Sequence, residues 1–261
     1  MDEELSAVRA IAFDLDGTLV DSAPDIAHAL NSALRRAGLD AFDLPTVHQW
    51  IGDGPDRLIA RALAASAVGA AGKAADAADA TNAIGTTASA KTLALNVTLR
   101  RDFDSATFAS PLLHGAVYPN IADTLKALYS VFPLVVVTNK PTALARAVLE
   151  AAGLQSLFTS VYGADRAELR KPLPAMLMQA ANDLSVGTRQ LLMIGDSSAD
   201  MNAAKAAGAP AILVSWGYGH VKAQKPLGPQ SLGPWRQIDR PQQLTALLMP
   251  TPPQICAVRQ P

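Results

Sequence analysis

The stretch Phe13-Asp14-Leu15-Asp16-Gly17-Thr18-Leu19-Val20-Asp21-Ser22 follows at once on the apolar run Val8 to Phe13. That run reads as a buried strand, and two carboxylates one residue apart close it. Residues i and i+2 of a strand point the same way, so Asp14 and Asp16 are expected side by side at its carboxyl end. Two anions that close repel unless a cation or a shared proton stands between them. A hard divalent ion such as magnesium, Mg²⁺, takes carboxylate and carbonyl oxygens and completes its shell with substrate phosphate. A bare Asp-x-Asp also occurs as an ordinary acidic turn, so the rest of the chain has to decide between the two.

Four more short apolar runs follow: Leu134 to Val137 before Thr138-Asn139, Leu157 to Tyr162 before Gly163, Leu191 to Ile194 before Gly195-Asp196, and Ala211 to Val214 before Ser215. All but the second are rich in Val, Ile or Leu without polar alternation, the pattern of a parallel sheet covered on both faces. Segments of helical spacing lie between them: Ile121 to Ser130, Pro141 to Ala152, Pro174 to Leu184 and Ala199 to Ala207. Gly153 and Gly208 stand just past the second and fourth of these, where a left-handed C′ residue is expected. Alternating strand and helix predicts an α/β fold, a doubly wound parallel sheet of Rossmann-like type.

The interval from about Ser22 to Ala116 breaks this rhythm. It holds no convincing strand but several helical patterns, at Pro24 to Ala37, Pro55 to Ala65 and Lys91 to Phe103. Such an insertion between the first two strands reads as a helical cap over the carboxyl edge of the sheet. Ser66 to Ala90 is almost wholly Ala, Gly, Thr, Asp and Ser, and a segment that buries so little apolar surface is expected to be a mobile insertion. The expected organisation is therefore a catalytic core of residues 1–20 and 117–248, a cap of 21–116 with its low-complexity insertion at about 66–90, and a disordered tail of 249–261. A last helix is expected within Ile238 to Leu248.

Composition bounds the function classes. With 261 residues and a formal net charge of -1, no global basic field points to nucleic acid or an anionic membrane as partner. The one cysteine, Cys256, excludes a disulfide framework and a cysteine metal cluster. The acidic start Met1-Asp2-Glu3-Glu4 is unlike a signal peptide, and no apolar run reaches spanning length. A cytoplasmic setting is expected, and the sequence carries no signal for an oligomeric state.

Each strand-end motif has a chemical reading. An aspartate such as Asp14 can take a phosphoryl group when neighbouring groups fix the geometry, and Asp16 could serve as general acid and then base. Gly17 lets the backbone turn sharply after the strand. Thr138-Asn139, leading into a helix, offers a hydroxyl and a backbone N–H to a phosphate oxygen, although Thr at a strand end is also a common helix cap. Lys171, in Arg170-Lys171-Pro172, could offset charge on a transferring phosphoryl group, although an isolated Lys-Pro usually lies at the surface. Asp196, in Gly195-Asp196-Ser197-Ser198-Ala199-Asp200, could ligate a metal, with Asp200 as a second ligand or as holder of Lys171, although Asp at a helix start is also a common N-cap. The histidines His28, His48, His114 and His220 show no ligand spacing, and Asp21 and Asp25 read as caps or hinge residues.

Taken together, these four motifs, in this order and each at a strand's carboxyl end, resemble those of the phosphatases of the haloacid dehalogenase superfamily, over roughly residues 8 to 248. The resemblance implies Asp14 as nucleophile, Asp16 as acid and base, Lys171 as catalytic cation, and phosphate binding by Thr138, Asn139 and Lys171. It implies magnesium held by Asp14, Asp196 and Asp16, the last through its main-chain carbonyl, with Asp200 behind. It also implies a strand order of 3-2-1-4-5.

Within that superfamily the finer likeness is to phosphoglycolate phosphatases. It rests on Asp16 to Ile26, on Trp50-Ile51-Gly52-Asp53-Gly54 followed by Leu58 and Arg61-Ala62-Leu63, on Tyr118-Pro119-Asn120 and on Trp216-Gly217-Tyr218-Gly219. The implied partner is a small phosphorylated metabolite such as 2-phosphoglycolate, whose carboxylate needs a cation or backbone N–H groups from the cap. Arg57, Arg61 or the Gly52-Asp53-Gly54 turn could supply them, while both arginines also read as solvated helix charges. Other small-molecule phosphatases, a pyrophosphatase, a β-phosphoglucomutase and a catalytically silent binding protein on the same fold are the alternatives. A haloalkanoate dehalogenase has no need of Asp16.

Overall fold

The computed structural model describes residues 3–71, 90–219 and 236–249. Three strands form as runs of buried residues, β1 (Ala10–Phe13), β4 (Leu134–Thr138) and β6 (Leu191–Gly195), and lie in the centre, with β7 (Ala211–Val214), buried after its first residue, beside them. With β5 (Ser160–Gly163) and β8 (Arg236–Ile238) they make one six-stranded parallel sheet in the order β5-β4-β1-β6-β7-β8. The 3-2-1-4-5 order is present, and β8 extends it by one strand at the edge. This strand carries too short and too polar a sequence, Arg236-Gln237-Ile238, to show an apolar run.

Successive side chains of a strand go to opposite faces, and β1 divides them by size. Ile11 and Phe13 join one core with Leu125 and Leu128 of helix α6 (Ile121–Tyr129) and Val148 and Leu149 of α7 (Thr142–Ala151). The small Ala10 and Ala12 face a second core with Met176 and Leu177 of α8 (Ala175–Asp183) and Ala203 and Ala204 of α9 (Ser198–Ala207). The last helix, Gln242–Leu248, packs Leu244 into the first core.

The cap has a core of its own. Helices α2 (Ala23–Arg36), α3 (Leu44–Trp50), α4 (Pro55–Ala71) and α5 (Ala90–Ala109) bring together Leu30, Leu34, Val47, Ile59, Leu99 and Phe103. Three boundaries differ from expectation. Helix α3 went unseen because its seven residues hold one buried side chain, Val47. Helix α4 continues to Ala71 and takes in the first residues of the expected insertion, since alanine is the best helix former whether or not it is packed. Helix α5 runs on past Phe103 to Ala109. The remainder of that insertion, 72–89, and the expected tail from 250 lie outside the described residues.

Two short strands, β2 (Val20–Asp21) and β3 (Ala116–Val117), pair antiparallel where the chain leaves the core and returns. The cap interval thus does have a strand at its rim. Asp25 of α2 ties the same junction, its carboxylate accepting from the N–H groups of Leu113, His114 and Gly115 at 2.8–2.9 Å. Asn120 adopts φ 66° ahead of α6, a left-handed conformation that Asn tolerates better than most residues.

Candidate active site

β1 lies between β4 and β6, so the residues that follow these three strands meet at one carboxyl edge. Asp14 donates its N–H to the Ile194 carbonyl at 2.8 Å, which carries the ladder one residue past β1. The chain then turns, with Gly17 at φ 86°, and a Cβ there would strike the Asp196 carboxylate. The two carboxylates that strand periodicity had placed side by side both line the site but take different partners. Asp14 faces Lys171, Asp196 and Asp200, whereas Asp16 faces Ser22 and Lys140.

Lys171 is buried at the centre of the first group. Its ammonium stands 2.6 Å from Asp200 Oδ1, 2.8 Å from the Val137 carbonyl and 2.9 Å from Asp14 Oδ1. Asp200 is completely buried and also accepts from the Ser197 N–H and hydroxyl at the start of α9. It is therefore the holder of Lys171, and it stands near enough to the other acids to be a ligand as well. Asp196 accepts from the N–H groups of Tyr218 and Gly219 at 2.6 and 2.9 Å.

Asp14, Asp196 and Asp200 bring one oxygen each to within 4.8 Å of one another, and the Lys171 ammonium pairs with two of these three carboxylates, Asp14 and Asp200. Burial, then Asp200 and Asp14, push the Asp196 carboxyl up to about 8. Burial pushes Asp14 up to about 6 against the pull of Lys171. Burial alone would lower Lys171, but Asp14 and Asp200 reverse it and raise its pKa. Asp14 Oδ1 is buried, and the Lys171 ammonium at 2.9 Å meets it as an ion pair outside hydrogen-bond geometry. An all-oxygen donor set with surplus negative charge fits a hard divalent cation.

Thr138 and Asn139 lie at the end of β4 as expected, but the Asn139 side chain is occupied. It accepts from the Lys171 N–H at 2.8 Å and donates to the Lys171 and Gly52 carbonyls at 3.1 and 3.0 Å, which joins core to cap. Thr138 Oγ1 accepts from the Lys140 N–H at 3.2 Å. Any contact of these two residues with phosphate would thus fall to the Thr138 hydroxyl and to backbone N–H groups.

Two cavities open above the edge and meet at Asp14 and Asp16. The wider, about 350 Å³, is lined by Asp53, Arg61, Asp196, Ser197, Ser198 and Tyr218. The narrower, about 50 Å³, is walled by Ile26, Ile51, Leu58, Phe103 and Leu144, with Gly54 and Lys140. Of the two cap arginines, Arg61 lines the wide cavity, paired with Asp53 and donating to the Trp50 carbonyl at 2.7 Å. Arg57 is exposed and lines neither, so the structure keeps it only as a solvated helix charge.

Lys140 was not anticipated. Its ammonium reaches Asp16 Oδ1 and Oδ2 at 2.8 and 3.0 Å, and it is only 8% exposed. The available signal was its position two residues beyond Thr138, which in an extended chain gives it the same direction. Tyr218 is a second such residue. Its hydroxyl donates to Asp21 at 2.8 Å and accepts from the Ala23 N–H at 2.9 Å, while its ring meets His48 edge to face at 4.7 Å. One residue thus holds Asp196 through its backbone and the cap junction through its side chain.

Residues 8–208 match the model of the haloacid dehalogenase-like hydrolases. The phosphoglycolate phosphatase of Shigella boydii serotype 4 is 36% identical over 217 residues, 83% of this chain and 84% of that protein. The phosphoglycolate phosphatase of Colwellia psychrerythraea is 35% identical over 229 residues, 87% of this chain and 93% of that protein. The crystal structure of a predicted phosphoglycolate phosphatase from Haemophilus somnus superposes with a TM-score of 0.75 at 30% identity, covering 92% of this chain and 97% of that one. No helix among the described residues is long and apolar enough to cross a membrane.

Proposed function

The chain belongs to the haloacid dehalogenase-like hydrolases and is a phosphatase, and we propose that it hydrolyses 2-phosphoglycolate to glycolate and phosphate through an aspartyl-phosphate on Asp14, with magnesium as cofactor. The observation that carries the chemistry is the buried group of Asp14, Lys171, Asp196 and Asp200 at the strand ends. The substrate reading is supported by the names of the relatives and by a cavity sized for a small phosphoester.

Asp14, Asp196 and the main-chain carbonyl of Asp16 would hold the magnesium ion, with Asp200 close by. The ion supplies neutralisation of the dianionic phosphate, which otherwise repels an anionic nucleophile. The protein's own groups then divide the work. Asp14 Oδ attacks phosphorus while the bond to the ester oxygen breaks, and Asp16 gives that oxygen its proton. In the second half a water loses a proton to Asp16 and attacks the same phosphorus. The bond to Asp14 breaks, phosphate leaves and the Asp14 carboxylate is restored. Lys171, fixed by Asp200, keeps Asp14 in line and offsets charge on the phosphoryl oxygens.

A panel of small phosphoesters containing 2-phosphoglycolate, assayed with magnesium and with excess chelator, tests this. Highest kcat/KM on 2-phosphoglycolate and silence under chelation are expected. A clear preference for pyrophosphate or a hexose phosphate would overturn the substrate, and full activity in chelator would overturn the cofactor.

A further inference from the structure

We infer that Lys140 is the group that selects an anionic leaving group, binding the substrate carboxylate with the same ammonium that positions Asp16. The inference rests on the proposed phosphatase reaction and deepens it. An ammonium has three N–H donors. Two go to the Asp16 oxygens at 2.8 and 3.0 Å, and among the described residues no other side chain or carbonyl accepts the third. Lys140 lines the narrow cavity, beside Asp16 and beneath apolar cap residues such as Ile51, Leu58 and Phe103. The group that protonates the leaving oxygen must adjoin the leaving group, so a cation on that group also adjoins it.

Among the other cations near the site, Arg170 gives Nη2 to Asp56 and keeps a buried Nε without an acceptor near Gly54, but it lines neither cavity. The Lys171 ammonium is shared among Asp200, Asp14 and the Val137 carbonyl. The Arg61 guanidinium is paired with Asp53 and the Trp50 carbonyl, and Arg57 lines neither cavity. Lys140 is the least hydrated of those with a donor to spare, and a charge-assisted hydrogen bond gains strength when water is excluded. The apolar walls leave room for a methylene or two but offer nothing to a hydroxyl-rich sugar. The expected substrates are therefore short phosphoesters that carry a carboxylate one or two carbons from the ester oxygen.

The test pairs substrates that differ only in that charge: 2-phosphoglycolate against ethyl phosphate, for the full chain, for Lys140→Met and for Lys140→Arg. Wild type should favour 2-phosphoglycolate in kcat/KM by roughly 10- to 100-fold, the value of one charge-assisted hydrogen bond. Lys140→Met should lower both rates through Asp16 but raise KM only for 2-phosphoglycolate, so that the preference falls at least tenfold. Lys140→Arg keeps the charge and should retain most of the preference, which serves as a second readout should Lys140→Met fold poorly. Competitive inhibition of wild type by glycolate, with none by ethanol, is a further expected result. A preference unchanged in Lys140→Met would overturn the inference and leave the phosphatase reading standing. A wild type that hydrolyses ethyl phosphate as well as 2-phosphoglycolate would overturn both the inference and the substrate proposal.

Discussion

The floor of the site and its roof are built on different physical terms. The floor consists of Asp14, Lys171, Asp196 and Asp200, all buried: Asp14 and Asp196 at the ends of β1 and β6, Lys171 in a loop tied to β4, and Asp200 in the first turn of α9. Lys171 pairs with Asp14 and Asp200 while Asp196 is held by the N–H groups of Tyr218 and Gly219, so removing Lys171 leaves charge unpaired in a low-dielectric setting. The roof consists of the Gly52-Asp53-Gly54 turn and Arg61, joined by a single ion pair; Gly52 is exposed and the others are half-buried. Such a pair contributes on the order of 1 kcal/mol or less. The difference teaches that reaction chemistry is held by a cooperative network, whereas the cap contacts can change one at a time.

The comparison breaks most sharply at Asp14, the proposed nucleophile. Asp14→Asn should lower kcat by more than about 10⁴-fold, on the scale of removed nucleophiles elsewhere, with the circular dichroism of the folded chain unchanged. Near-wild-type turnover in a folded variant would end the aspartyl-phosphate mechanism. Asp16→Asn should cost roughly 10²–10⁴-fold, the usual range for acid–base catalysis. A loss under about tenfold would take that role from it.

The cooperativity of the floor is measured by Lys171→Met, which leaves Asp14 and Asp200 without their counter-charge. Urea unfolding should show a loss of about 3–5 kcal/mol, as when one partner of a buried ion pair is removed. A loss below 1 kcal/mol, within the range of exposed pairs, would mean that the network is no more cooperative than the roof.

Metal and pH act on the same cluster. Folding raises the carboxyls of Asp14 and Asp196 from 3.8 to about 6 and about 8. A carboxyl raised in this way stabilises the fold while protonated, fully below the unfolded value, and that contribution is lost as pH rises through the folded value. In chelator the Tm should therefore fall between pH 4 and 8. The Tm gained on adding magnesium should grow over the same window, because the cation replaces the departing protons. A gain that stays flat with pH would remove these carboxylates as the metal's seat.

The smallest effects belong to the roof. Arg61→Gln should raise KM roughly two- to tenfold with kcat little changed, the signature of lost ground-state contact. Arg57→Gln should alter neither beyond about twofold, as is usual for an exposed charge. Equal effects at the two positions would show that the cap closes differently over substrate than it does here.

What the chain determined by itself is local and periodic. Buried strands covered on both faces need unbroken apolar runs, and the acids and the Thr-Asn pair that end those runs are then carried to one edge of a parallel sheet. The layered fold, the helical cap and the positions of Asp14 and Asp196 were legible for that reason, whereas Lys171 lies in a loop beyond the end of β5 and was named through the family resemblance. Tertiary structure alone decided which charges share a partner. Strand periodicity put Asp14 beside Asp16, but in the fold one carboxylate meets Lys171 and the other meets Lys140, 124 residues from Asp16 along the chain. Arg57 and Arg61 are equivalent in sequence, four apart on α4, and are told apart only by which one meets Asp53 and the cavity. Pairing between distant charges depends on how β4 and β6 flank β1 and how the cap docks, and neither leaves a period in the sequence.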